Sequence, residues 1–272
     1  MSNTTPVSTL SLVSWNIQTG SEAPLIGNGW SRRKAALAHA LITEAPDIIC
    51  VQEAMIGQLK VLDYHLPGHH RVGVGRDDGA EKGEHCAIFY RRDRLVVQDA
   101  GTFWLSGTPE RPSLSGDVIF RRICTWARFL DQETGQACSI FNTHFPLNPF
   151  AQIAAAELVL KKMEALCHGS KTILAGDFNA EPSSPSWRLF RRSGLRNAEE
   201  LATGRQSSTA TYHVRGRPLC CIDAVFVSAG MTVRKHRILN ASYHGVWPSD
   251  HFGSCIEFDV PKFPENNHFR RC

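Results

Sequence analysis

The 272-residue chain has no run of about 18 apolar residues, the length that a membrane-spanning helix requires. No membrane span is expected. Residues Met1 to Thr9 lack the basic and apolar segments of a secretory leader. No Gly/Ser/Pro linker, block of like charge or internal repeat divides the chain. One domain over residues 1–272 is therefore expected, with a core over about 9–261 and a monomeric state. The tail Asn266 to Cys272 is polar and basic and is expected to fray. The nine cysteines form no Cys-x-x-Cys pair, which excludes the common zinc spacings. Cys220 and Cys221 are adjacent in a strand-like run, where successive side chains face opposite ways, so neither a bridge nor a shared metal is expected. An odd, scattered count fits reduced thiols and a cytoplasmic location. Also missing are a Walker loop and a Ser or Cys nucleophile motif. Gly73-Val74-Gly75 lacks the residues and the helix that would make it a phosphate cradle.

What remains is an ordinary globular profile, 42% hydrophobic and 21% charged, with ample length for a core. The net charge of +4 admits an anionic substrate without demanding one.

Apolar runs ending in polar residues recur along the chain. Leu10 to Asn16, Asp47 to Glu53, Ser139 to His144 and Thr172 to Asn179 read as buried strands. Cys86 to Tyr90, Thr102 to Trp104, Cys124 to Leu130, Ile222 to Val227 and Cys255 to Val260 read as further strands. Helical spacing marks Ser31 to Glu44, with Ser31 as N-cap and Ala35, Leu37, Leu41 and Ile42 inward, then Ala151 to Cys167 and Ser186 to Arg192. Strands outnumber helical crossovers, which points to stacked sheets with outer helices rather than a doubly wound parallel sheet.

The most informative tetrad is Gly176-Asp177-Phe178-Asn179. At a strand end, Asp and Asn two residues apart point the same way and set a carboxylate beside an amide. Asn16, Glu53 and His144 end other strands, and Ser249-Asp250-His251 adds a late loop. Each residue has an ordinary alternative: a turn cap, a surface ion pair, a satisfied core histidine or a loop hydrogen bond. Taken together, carboxylates with an amide oxygen make a hard site suited to magnesium or manganese. Two histidines with carboxylate partners add proton transfer and phosphate contacts. The set is suited to attack by an activated water on phosphorus.

In order, Trp15-Asn16, Val51-Gln52-Glu53, Asn142-Thr143-His144, Gly176-Asp177-Phe178-Asn179, Cys221-Ile222-Asp223 and Ser249-Asp250-His251 resemble the motifs of the magnesium-dependent endonuclease/exonuclease/phosphatase superfamily. Gly83-Glu84 with Ile88-Phe89-Tyr90, Gly101 to Ser106 and Arg122 to Ala127 resemble its bacterial branch, related to deadenylases and nocturnin. The resemblance implies an α+β fold of the pancreatic-deoxyribonuclease type, a four-layer α/β/β/α sandwich of two stacked mixed sheets with outer helices. It implies a Mg2+-dependent phosphoesterase, with Mn2+ as substitute, acting on a phosphodiester or phosphomonoester; nucleic acid and nucleotides are among the substrates it admits. A DNA- or RNA-specific nuclease is the alternative, and a non-catalytic module on the same fold a weaker one.

By the same resemblance Glu53 is the principal metal ligand, with Asn16 beside it and Asp250 completing the site. Asp177 orients or deprotonates water, and Asn179 contacts the phosphate. His251 serves as base or phosphate-oxygen stabiliser, polarised by Asp223. His144 is a second proton-transfer or phosphate-binding group, paired with Glu84. Arg122 holds a non-bridging oxygen through its planar fork, with Arg121 as rival. The chain departs from the pattern at Pro146-Leu147-Asn148-Pro149, at Ser113 to Phe120, at Cys220 and at Ala224. These positions lie near the substrate rim, so they leave the substrate open and not the chemistry.

Overall fold

The computed structural model describes residues 7–22, 29–114, 119–167, 169–205 and 210–261. The expected fraying of Asn266 to Cys272 lies outside them, as does part of the Ser113 to Phe120 stretch. The elements run β1 (Val7–Asn16), α1 (Trp30–Glu44), β2 (Ile48–Ala54), α2 (Ile56–His65), β3 (His69–Val72), β4 (His85–Arg91), β5 (Leu95–Trp104), β6 (Ile123–Asp131), β7 (Ala137–His144), α3 (Pro149–Leu166), β8 (Lys171–Asp177) and α4 (Pro185–Arg192). There follow β9 (Arg196–Asn197), α5 (Ala198–Leu201), β10 (Gly204–Arg205), β11 (Tyr212–Val214), β12 (Arg217–Cys220), β13 (Asp223–Val227), β14 (Val233–Leu239) and β15 (Gly253–Pro261).

Two sheets hold most of the strands. One has the order β10-β14-β15-β1-β2-β4-β3, the other β5-β6-β7-β8-β13-β9, and β11-β12 form a separate hairpin. Both large sheets are mixed: β1 runs parallel to β2 and β7 parallel to β8, whereas β15, β4, β6 and β13 run antiparallel to their neighbours. Leu10, Leu12, Ile48 and Ile88 of the first sheet share one buried cluster with Phe129, Ile140, Ile173 and Val225 of the second. On the outer side of the first sheet, Val13, Trp15 and Val51 pack with Leu37 and Leu41 of α1 and Leu59 and Leu62 of α2. On the outer side of the second, Phe141, Leu174 and Phe226 pack with Val159 of α3 and Trp187 and Phe190 of α4. The result is the expected α/β/β/α sandwich. Strands covered on both faces explain why these segments read as continuous apolar runs rather than alternating ones.

One polar link crosses the apolar middle. Gln52 donates to Asn142 Oδ1 at 2.7 Å, and Asn142 donates to the carbonyls of Val51 and Ala87. The strand-end motifs of the two sheets are thus tied to each other by buried amides, the Gln52 Oε1 having no partner among the described residues.

Helix α1 corrects two details. Its N-cap is Gly29 rather than Ser31, and no side chain caps it. Ala35 and Ile42 face outward, while Arg33, Ala36, Leu37, Ala40 and Leu41 are buried. The apolar stripe is rotated because Arg33, 1% exposed, turns inward and donates to four backbone carbonyls, those of Ile17, Gln18, Thr19 and Pro248. The eight described cysteines are free, and burial holds the thiols of Cys50, Cys86 and Cys124 above their usual range. Among the described residues no helix is long and apolar enough to cross a membrane.

Candidate active site

All the strand-end residues meet at one rim. Parallel strands bring their C-terminal ends to it: Asn16 of β1, Glu53 of β2, His144 of β7 and Asp177 of β8. The antiparallel neighbours bring their starts: Glu84 precedes β4, Arg122 precedes β6, Asp223 opens β13 and His251 precedes β15. Register fixes the cluster. Asp177 is level with His144 on one side and with Asp223 on the other. Adjacent strands lie roughly 4.8 Å apart, so these three side chains are forced together.

Backbone geometry aims the carboxylates. Gly176 has φ 154°, and a Cβ there would stand 2.1 Å from the Thr143 carbonyl oxygen. Only glycine lets β8 lie so close to β7 just before Asp177. The pairing of β2 with β4 slips between Val51 and Ala54, and Glu53 at this bulge has φ 59°. A bulge re-aims one side chain out of strict alternation. Asn179, beyond the end of β8, has φ 47°.

Asp177 is the hub. Its Oδ2 accepts from Asn16 Nδ2 at 2.9 Å and lies 3.6 Å from His144 Nε2 and 3.8 Å from His251 Nε2. Its Oδ1 accepts the Asn179 N–H at 2.9 Å. Asn16 also donates to Glu53 Oε1 at 2.9 Å, and Glu53 Oε2 accepts the Thr19 N–H at 3.0 Å. Asn16 Oδ1 accepts the Gln18 N–H. Asn16 therefore bridges two carboxylates through its amide nitrogen, where the sequence leads one to expect an oxygen ligand. His251 Nδ1 is 2.8 Å from Asp223 Oδ2. Its position is set from two sides, by the Trp15 indole N–H on its carbonyl and by Ser249, which also donates to the Asn16 carbonyl.

These contacts set the charges. Burial opposes a charged His251, yet Asp223, Asp177 and Asp250 outweigh it and push the imidazole up to about 10. Burial and the Asp223 charge raise Asp177 above the usual carboxylate range. Burial, aided by Arg122 and Arg76, drives His144 well below the usual histidine range, so it is neutral at physiological pH. Burial also raises Glu84 and Asp250.

Glu53, His144 and Asp177 offer ligand atoms within 4.8 Å of one another, a group able to hold a hard cation. Asp177, Asp223 and His251 form a second such group, but there the imidazole is already bonded to Asp223. Asp250 lies outside both groups and accepts from Gln18 Nε2 at 3.0 Å.

The expected Glu84–His144 hydrogen bond is not formed. Glu84 Oε2 stands 3.9 Å from His144 Nδ1 and is taken at 2.5 Å by Arg76. A guanidinium, charged throughout, outcompetes a neutral imidazole for the carboxylate. Arg122 is buried beside this pair, whereas Arg121 is half-exposed and leans 3.4 Å from Asp77. Arg76 and Gln18 were not singled out from the sequence. The available signal for Arg76 was a glycine-bounded hairpin, Gly75 to Gly83, which sets it opposite Glu84.

A family model described as Endonuclease/Exonuclease/phosphatase family matches residues 13–251. An endonuclease/exonuclease/phosphatase family protein from Bacteroides thetaiotaomicron superposes with TM-score 0.86 at 32% identity, covering 93% of this chain and 98% of that one. A mannosyl-6-phosphatase from Bacteroides thetaiotaomicron VPI-5482 superposes with TM-score 0.85 at 34% identity, covering 92% and 99%. Nocturnin of Drosophila melanogaster is 22% identical over 293 residues, covering 87% of this chain and 43% of that protein. The chain spans less than two thirds of the first curated relatives it matches.

Proposed function

The chain belongs to the endonuclease/exonuclease/phosphatase family, and from that premise we propose that it is a single-domain, divalent-metal-dependent phosphoester hydrolase using water as nucleophile. The observation that carries this reading is the position of Asp177, in contact with Asn16, His144, His251 and the Asn179 backbone at once.

Glu53 would hold the cation with Asp177 or Asp250 completing the oxygen set, and Asn16 would fix Glu53 in place. We take the ion to be Mg2+, with Mn2+ as substitute; when bound, it supplies polarisation of the phosphoryl oxygen and offsets charge in the transition state. Asp177 orients the attacking water and accepts its proton. His251, charged at neutral pH and anchored by Asp223, donates to a phosphoryl oxygen as negative charge grows there. Its charge makes it a stabiliser rather than a base. Asn179, half-buried with one amide hydrogen on the Phe145 carbonyl, has a second for the phosphate. Neutral His144 donates to or accepts from the leaving-group side, and Arg122 binds a non-bridging oxygen.

A phosphatase relative at 34% identity supports a phosphomonoester substrate. The alternative, cleavage of DNA or RNA, calls for a basic stripe beside the site. Three arginines of the basic runs are engaged elsewhere: Arg33 is buried under the Ile17–Thr19 loop, Arg91 pairs with Asp47 and Asp93, and Arg191 pairs with Glu200. The eight free thiols support a reducing compartment, and we infer the cytoplasm from them. The test is a panel of single- and double-stranded DNA, polyadenylated RNA, a generic diester and a generic monoester, each with Mg2+ and then Mn2+. The reading predicts metal-dependent release from at least one phosphoester; no hydrolysis of any member would overturn it.

A further inference from the structure

A narrow cleft opens beside His144 and Glu53, walled by Arg76, Glu84, Arg122 and Ile123. It is tight, with room for about one oxygen-sized group. Arg76 is 8% exposed and Arg122 5% exposed. Each keeps a buried Nε–H with no hydrogen-bond partner among the described residues. Arg121, which also lines the cleft, has an unpartnered buried Nε as well. Burying a donor without a partner is costly, so such donors on residues lining one cleft indicate an acceptor that belongs beside them.

The charge count points to an anion. Glu84 is bonded to Arg76, while no carboxylate among the described residues lies within ion-pair distance of Arg122. Three guanidiniums, of Arg76, Arg121 and Arg122, thus line the cleft against two carboxylates, those of Glu53 and Glu84. Arg76 cannot swing away: Glu84 holds its Nη1, its backbone N–H bonds the Glu84 carbonyl, and the Trp104 indole N–H bonds its own carbonyl. The Phe120 ring lies over both cations, 5.1 Å from Arg76 Cζ and 6.0 Å from that of Arg122.

We propose that Arg76 is a second phosphate-binding residue beside Arg122, and that the two select phosphomonoesters over phosphodiesters. This rests on the phosphoester-hydrolase reading. A terminal phosphate has three non-bridging oxygens and up to two negative charges; a diester phosphate has two and one. The third oxygen enters the cleft between Arg76 and Arg122. The second ester arm of a diester has no room there. Glu84 is a positioning residue, fixing the fork of Arg76.

The experiment compares kcat/KM for p-nitrophenyl phosphate, a hexose 6-phosphate, a nucleoside 5′-monophosphate and bis(p-nitrophenyl) phosphate, with inhibition by inorganic phosphate. Wild type is expected to prefer the monoesters; the better of the sugar and nucleotide arms identifies the leaving group. Arg76→Met should lower the monoester-to-diester ratio at least about tenfold, mainly through KM, and weaken phosphate inhibition in step. Arg76→Lys, which keeps the charge but not the fork, should fall between, and covers the case in which Arg76→Met does not fold. Glu84→Gln should raise the monoester KM more than it lowers kcat. A wild type that prefers the diester, or Arg76 variants with an unchanged ratio and unchanged phosphate inhibition, would overturn the proposal. Failure to cleave any of the four substrates would instead remove the reading beneath it.

Discussion

Asp177 and Asp223 face each other across the antiparallel pair β8 and β13, in direct register, with His251 reaching both. Two buried carboxylates at neighbouring rungs repel, and the imidazolium between them relieves the repulsion. Removing any one of the three should therefore disturb the other two.

Asp223→Asn and His251→Ala should each cost at least about a hundredfold in turnover, on the scale of lost acid–base or oxyanion stabilisation. Because the two side chains are bonded at 2.8 Å, the double variant should lose far less than the product of the single losses. Steady-state rates of the three variants give the cycle. Multiplicative losses would separate the residues.

Glu53→Gln should raise the cation concentration needed for half-maximal rate and leave thermal stability near that of wild type. Glu53 accepts from Asn16 and Thr19 through separate oxygens, so the single amide oxygen of glutamine keeps one of the two bonds and the loss of the other costs about 1 kcal/mol. Metal titrations of activity, with melting curves alongside, check this. An unchanged titration would remove Glu53 from the cation site.

Gly176→Ala should be costly for the fold and the site together. The new Cβ meets a backbone carbonyl at 2.1 Å, and φ 154° disfavours any side chain. A loss on the order of 3 kcal/mol is expected, with turnover lost through displacement of Asp177. Denaturant unfolding measures the first and rates under folding conditions the second.

His236 gives a pH dependence of stability that lies away from the rim. Burial lowers its pKa to about 4 in the folded protein, against about 6.5 when exposed. The unfolded chain then binds a proton that the folded chain refuses, so stability is full above pH 6.5 and falls as the pH drops from there toward 4. The fall from this group is up to about 3 kcal/mol. His236→Gln should remove one proton's share of the slope in unfolding measured over that window. A slope identical to wild type would contradict it.

Strand ends were the legible part of this chain. Asn16, Glu53, His144 and Asp177 each follow an apolar run, and a continuous apolar run with a polar stop is local information. Their number points to stacked sheets, and the resemblance to the family implies the two-sheet sandwich. Less could be read where partners lie far apart in sequence. Arg33 sits in the basic run Arg32-Arg33-Lys34, yet it is spent on carbonyls as distant as that of Pro248. Glu84 pairs with Arg76 because a hairpin folds back on itself, which no periodicity records. The bulge at Glu53 depends on how β2 meets β4, and β14, with Val233, His236 and Ile238 buried between charged neighbours, was masked by its basic residues.

The most direct test follows phosphate or alcohol release from the best substrate of the panel by wild type and Asp177→Asn, titrated with Mg2+ and then with excess chelator. The account predicts turnover that rises with Mg2+, disappears with chelator, returns when the cation is restored, and is at least about a hundredfold lower in Asp177→Asn. Full wild-type turnover in excess chelator, or an Asp177→Asn variant as active as wild type, would contradict it.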